Sequence, residues 1–189
     1  GGYDFHDCSP YKNHGTLTNM DPATDWGFDV TLNRCVLDFD GSDDCCITTS
    51  PKGFANVAGA GMSWACWFRP ANTTAFQRVL TIGASAVMFG HWLQTTPAGL
   101  AEGGFGGDGR WRSSIVTLSS GQWYALAATT DFATISIYVD GVLSNGNSGA
   151  GVPAQIVAPY DFAIGRLTSG GYYYGAGQVA DVMIYPARI

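Results

Sequence analysis

The chain is poor in charge, and poorest of all in glutamate: Glu102 stands alone against fourteen aspartates. Charged residues make up 13% of the sequence, and only nine of them are lysine or arginine. Glutamate and lysine favour helices, whereas aspartate favours turns and caps. A helical bundle is therefore a poor reading. Basic clusters are also missing, and the net charge is -6, which argues against a nucleic-acid partner. No uninterrupted apolar run approaches the ~18 residues of a membrane span. The opening GGYDF lacks a charged-then-apolar leader, so the chain reads as processed or trimmed, or as not secreted by the standard route. Cysteine is present five times, an odd number, so at least one thiol is free or pairs between chains. None forms a CxxC. Cys45 and Cys46 are adjacent, and on a strand they would point to opposite faces, which disfavours a shared zinc. They read as small buried side chains with room for one disulfide.

Apolar residues make up 46% of the sequence, with 26 glycines. The apolar residues alternate in short windows: 16–20, 35–39, 45–49, 62–70, 78–84, 87–94, 113–118, 123–130, 134–141, 155–158, 161–167 and 179–186. Turn residues separate the windows. No window repeats every 3.6 residues over three turns; 20–34 and 51–57 each have room for a single helical turn. MSWACWFRP (62–70) is apolar on both faces and predicts a central strand covered on both sides. YVDG (138–141) ends a strand in a tight Asp140-Gly141 hairpin, with Trp123 at the entrance of the preceding strand as a core anchor. The pattern predicts an all-β fold, a two-sheet antiparallel β-sandwich of the jelly-roll type, as one domain over 1–189.

Several segments together resemble the LamG-like jelly-roll domains of the concanavalin A-like lectin/glucanase superfamily. They are YDFHDCSPYKNHGTLTN, VLDFDGSDD, MSWACWFRP, GQWYALAATTD with ISIYVDG, FAIGR, and the closing YYYGAGQVADVMIYPARI. They occur in the family's order along almost the whole chain. The chain departs from the family pattern at Ser9-Pro10-Tyr11, at Cys45-Cys46, at Ala125 in place of a histidine, and at Ala180-Asp181-Val182. The resemblance implies one structural Ca²⁺ near the chain ends, with Asp7, Asn13, the Asp40-Gly41 turn and Asp181 in the matching positions. Asp181 is also unusual in its own right, since aspartate is depleted in strands. DFDGSDD (38–44) is an alternative oxygen-rich loop, although its spacing is not that of an EF-hand.

Glycosidase chemistry needs two carboxylates across a cleft. Catalytic members of the superfamily resemble E-x-D-x-x-E on one strand; this chain has a lone Glu102, so no enzyme is expected, and a divergent glycosidase that uses Glu102 is the remaining alternative. GMSWA (61–65) lacks the second glycine of a nucleophile elbow, and His6, His14 and His91 read as turn or core residues. Sugar binding uses exposed aromatics flanked by polar groups. Candidates are Trp92, Tyr173 in GGYYYGAG, and Phe105, Asp108, Arg110 and Trp111 in GGFGGDGRWR. The alternative for that stretch is a glycine-rich hairpin with Trp111 packed inward. The expected function is a non-catalytic lectin-like binding or adhesion module, extracellular or on a virion surface, with a glycan or surface protein as partner. The rival reading is a structural decoration protein that self-assembles or sits on a capsid or shell; sparse charge and many small residues suit it.

Overall fold

The computed structural model describes residues 4–53, 61–83, 90–105, 111–131, 134–148, 161–166 and 174–189. Every regular element among them is a strand. In chain order these are β1 (Asp4–Phe5), β2 (Gly15–Thr18), β3 (Trp26–Asp29), β4 (Arg34–Asp40) and β5 (Cys45–Thr49). Next come β6 (Met62–Pro70), β7 (Gln77–Gly83), β8 (Gly90–Thr95), β9 (Leu100–Phe105) and β10 (Trp111–Thr117). The last five are β11 (Tyr124–Thr130), β12 (Thr134–Val139), β13 (Val142–Ser148), β14 (Asp161–Ile164) and β15 (Ala176–Tyr185). The first sheet runs β1-β2-β5-β14-β7-β8-β9-β10, and the second β13-β12-β11-β6-β15-β4-β3. The chain is thus the two-sheet antiparallel jelly roll that its alternation predicts.

The core lies between the sheets, where strand alternation delivers one face of each. Trp64, Cys66 and Phe68 of β6 meet Leu80, Ile82 and Leu93 of β7 and β8. β6 is central, between β11 and β15. Its second face is not fully covered, however: Ala65, Trp67 and Arg69 are half-buried on the outer side. The expectation of cover on both sides is corrected, because a two-layer sandwich leaves each sheet one outer face. Region 20–34 does contain one helical turn, in which Asp25 N donates to Asp21 O at 2.9 Å. It is followed by β3, an edge strand of four residues, too short for its alternation to be legible. The 155–158 window, and most of 51–57, lie outside the described residues.

The β12–β13 hairpin is built as its Asp-Gly predicts. Asp140 and Gly141 have φ of 52° and 76°, as a type I′ turn requires. Asp140 also extends the ladder: its N donates to Ala125 O at 2.8 Å, and its Oδ1 accepts from Ala125 N at 2.9 Å. Trp123, expected as a core anchor, is instead half-buried and outside the core cluster. Its Nε1 donates to Asp29 Oδ2 at 3.0 Å, which fastens the entrance of β11 to the end of β3. No neighbouring atom crowds the Gly141 Cβ position. The expected cost of Gly141→Ala is therefore the left-handed strain alone, roughly 1–2 kcal/mol, read by urea unfolding.

Candidate functional site

A row of side chains crosses the outer face of the first sheet. Its facing follows from Gly103: a Cβ there would meet Ile137 and Ala128 of the opposite sheet, so Gly103 faces the core. Its neighbours Glu102 and Gly104 therefore point outward. Register sets two rungs. In the first, Thr81 pairs with Trp92, Trp92 with Gly104, and Gly104 with Trp111. In the second, Arg78 pairs with Gln94, Gln94 with Glu102, and Glu102 with Ser113.

The rungs are chemically distinct. Gly104 gives the first its floor, since any Cβ would run into the Trp92 ring lying over it. Trp92 is half-buried and Trp111 is 46% exposed. The Arg78 guanidinium carbon stands 4.6 Å from the Trp92 ring centroid, a cation–π contact. In the second rung, Gln94 Nε2 donates to Glu102 Oε2, and Ser113 Oγ donates to Glu102 Oε1 at 2.8 Å. Arg78, Gln94 and Glu102 are buried. The second rung therefore acts as a hydrogen-bonded foundation under the aromatic rung. It holds one carboxylate, where glycoside hydrolysis needs two.

Of the sugar-binding candidates, the structure brings Trp92 and Trp111 together on one rung. The two ends of the glycine-rich stretch lie on the antiparallel neighbours β9 and β10, and Trp111 points outward. Phe105 ends β9 opposite His91, and its side chain lies outside the described residues, as do Asp108, Arg110 and Tyr173. Sequence reasoning missed Arg78, Gln94, Glu102 and Ser113 as one unit. They come from four strands, and only register unites them.

The residues matched to calcium fall in two places. Asp7, Asn13 and Asp181 line one cleft, and Gly41 lies in a separate turn. Asp7 closes its own loop, accepting from Ser9 N at 2.7 Å, Ser9 Oγ at 2.6 Å and Asn13 N at 2.8 Å. Asn13 binds the Lys52 backbone through both ends of its amide. Asp181 pairs with Arg34 at 2.8 Å. Its φ of 47°, at the β-bulge between Ala180 and Met183, explains an aspartate inside a strand. The alternative loop is where carboxylates gather: ligand oxygens of Asp40, Asp43 and Asp44 lie within 4.8 Å of one another. Burial first, then the charges of Asp40, Asp25 and Asp43, push Asp44 above the usual carboxylate range. Asp40 is held below that range, chiefly by the backbone hydrogen bond from Ser42.

The family described as the concanavalin A-like lectin/glucanases superfamily matches residues 40–188. The chain belongs to this superfamily. No curated protein matches it. Among solved structures it resembles the native heptameric SAP-like pentraxin from Limulus polyphemus, at 14% identity and TM-score 0.64, over 85% of this chain and 80% of that one. It also resembles domain 4 of AbnA, a GH43 extracellular arabinanase from Geobacillus stearothermophilus, in complex with arabinotriose. That match has 18% identity and TM-score 0.65, over 93% of this chain and 83% of that one. The receptor binding domain of botulinum neurotoxin D matches at 13% identity and TM-score 0.68, over 97% of this chain, which spans only 46% of that one. No helix among the described residues is long and apolar enough to cross a membrane.

The raised Asp44 has a signed consequence. A carboxyl whose folded pKa lies above its unfolded value penalises folding when ionised, and the penalty fades as pH falls through the folded value towards ~3.9. Asp44→Asn keeps an acceptor for Asp40 N and removes the charge. In chelator at pH 7 it is expected to melt no lower than the parent chain. Any gain should vanish by about pH 3.5, measured by melts across pH.

Proposed function

We propose that the chain is a non-catalytic, lectin-like binding module that acts outside the cell and takes a glycan on the outer face of its first sheet. The observation that carries this reading is the Trp92–Gly104–Trp111 rung, an aromatic surface left open on a rigid sheet. Sugar rings present an apolar face that stacks on indole, and hydroxyls that bond to polar neighbours. Membership of the superfamily and the arabinotriose complex of the AbnA domain support the same reading. A second reading, assembly among copies or on a shell, is favoured by Ile115, Val116, Val142 and Leu143, exposed on the edge strands β10 and β13. None of these four belongs to the rung.

A glycan array on the parent chain and Trp111→Ala tests the site. The variant is expected to lose binding tenfold or more, ~1.4 kcal/mol, while stability moves by less than about 0.5 kcal/mol. Unchanged binding would remove the rung from the function.

Calcium belongs to the same proposal. Hard oxygen donors suit it, and a cation at Asp40, Asp43 and Asp44 would offset both the burial that chiefly raises Asp44 and the repulsion that adds to it. Calcium is expected to raise the melting temperature by linkage, and Asp43→Asn to abolish that rise. Asp181→Ala is expected to leave the rise intact and to cost under ~1 kcal/mol, since its ion pair is exposed. A rise lost in Asp181→Ala and kept in Asp43→Asn would move the ion to the cleft.

A further inference from the structure

The aromatic rung is flat, and Gly104 makes it so. The Trp92 ring fills the space that a Gly104 Cβ would take, so it lies down across β9 instead of standing off β8. The Arg78 guanidinium is 4.6 Å from the ring centroid, and Arg78 is the more buried of the two residues. The cation therefore lies beneath the indole, and the opposite face of the ring is the one that solvent reaches. Trp111, 46% exposed, continues the surface on β10. Adjacent strands lie about 4.8 Å apart, so the rung is about 10 Å long from β8 to β10.

The platform carries no exposed charge. Thr81, Trp92, Gly104 and Trp111 have none to offer. In the second rung Arg78 and Glu102 are buried, one of each sign, and Glu102 is already held by Gln94 and Ser113. Neither rung presents a cation to a uronate or a sulfate, or an anion to an amino sugar. Burial of Gln94 and Glu102 also leaves few hydrogen-bonding groups in reach, so stacking supplies most of the attraction.

Stacking on a flat surface sets the shape of the ligand. A pyranose with equatorial hydroxyls carries axial C–H bonds on both faces, so either face can lie on indole. Equatorial linkages join such rings into a straight ribbon that advances by close to one strand spacing per ring. An axial linkage bends the chain and lifts later rings off the surface. Resting on the glycan reading above, we propose that the rung takes a straight, uncharged chain of equatorially linked pyranoses, laid across the strands from Trp92 to Trp111 with about three rings on the platform.

The test is calorimetric titration of the parent chain with cellobiose, cellotriose, cellotetraose and cellohexaose, beside maltose oligomers of the same lengths. Affinity is expected to rise tenfold or more from cellobiose to cellotetraose and then to level off. Maltotetraose is expected to bind at least tenfold more weakly than cellotetraose. Gly104→Ala tests the flatness. Its methyl group first meets the far end of the Trp92 side chain, which can swing away, so the variant is expected to melt close to the parent chain. It should nevertheless weaken cellotetraose tenfold or more. Trp111→Ala shortens the platform and should remove the gain from cellobiose to cellotetraose, which keeps the test alive if Gly104→Ala folds poorly. Equal affinity for the two tetraoses, no gain with length, or full affinity in Gly104→Ala would each overturn the proposal. An array ligand lost in Trp111→Ala, with neither tetraose bound, would keep the glycan site and overturn the straight neutral chain. An array with no ligand lost in Trp111→Ala would overturn both.

Discussion

One indole ties the two sheets together. Trp64 sits at the centre of β6, fully buried, and its Nε1 crosses the core to donate to Trp92 O at 3.2 Å. Its ring also meets His91 edge-on, with centroids 5.0 Å apart. Burial alone lowers His91 to about 3, so the imidazole is neutral and adds no unpaired charge to the core. Because His91 faces inward against Trp64, the next residue, Trp92, must face outward. The position of β8 therefore sets the aromatic rung, and β9 and β10 follow by register. A surface that looks like a local feature of one sheet is placed by a side chain of the other.

The fold was legible where side chains alternate strongly. The 45–49 and 62–70 windows coincide with β5 and β6, and the Asp140-Gly141 turn sits where its dihedral needs placed it. Weak or polar strands were not. β3 is four residues on an edge, β13 reads VLSNGNS, and β9 carries two glycines that resemble a loop. Those glycines are structural: Gly103 makes room for Ile137 and Ala128, and Gly104 makes room for Trp92. Composition cannot tell a glycine that frees the backbone from one that admits a neighbour's side chain.

The candidate site was half legible for a related reason. Trp92 and Trp111 stood out as candidate sugar-stacking aromatics, and both belong to the rung. Glu102 also stood out, but as a catalytic prospect. Its two oxygens are instead held by Gln94 and Ser113, residues with no motif around them. Their partnership depends on pairing β8 with β9 and β9 with β10, and a one-residue slip would turn Glu102 into the core. Sequence periodicity can show that a residue faces outward; it cannot show what lies across from it two strands away.

Part of the aspartate excess follows from turn chemistry. Asp7 accepts from Ser9 N, Asp21 from Ala23 N, Asp29 from Thr31 N and Asp40 from Ser42 N, each two residues on. Asn72 does the same for Thr74 N. A carboxylate on one methylene reaches that amide and closes an Asx turn, whereas the longer glutamate does so less well. Four of the fourteen aspartates thus serve the tight turns that join short strands. These carboxylates are engaged by their own loops, which leaves them less free as ligands. That is why the Asp40–Asp44 turn stands apart: there a carboxylate already serving Ser42 lies beside Asp44, whose charge its surroundings disfavour.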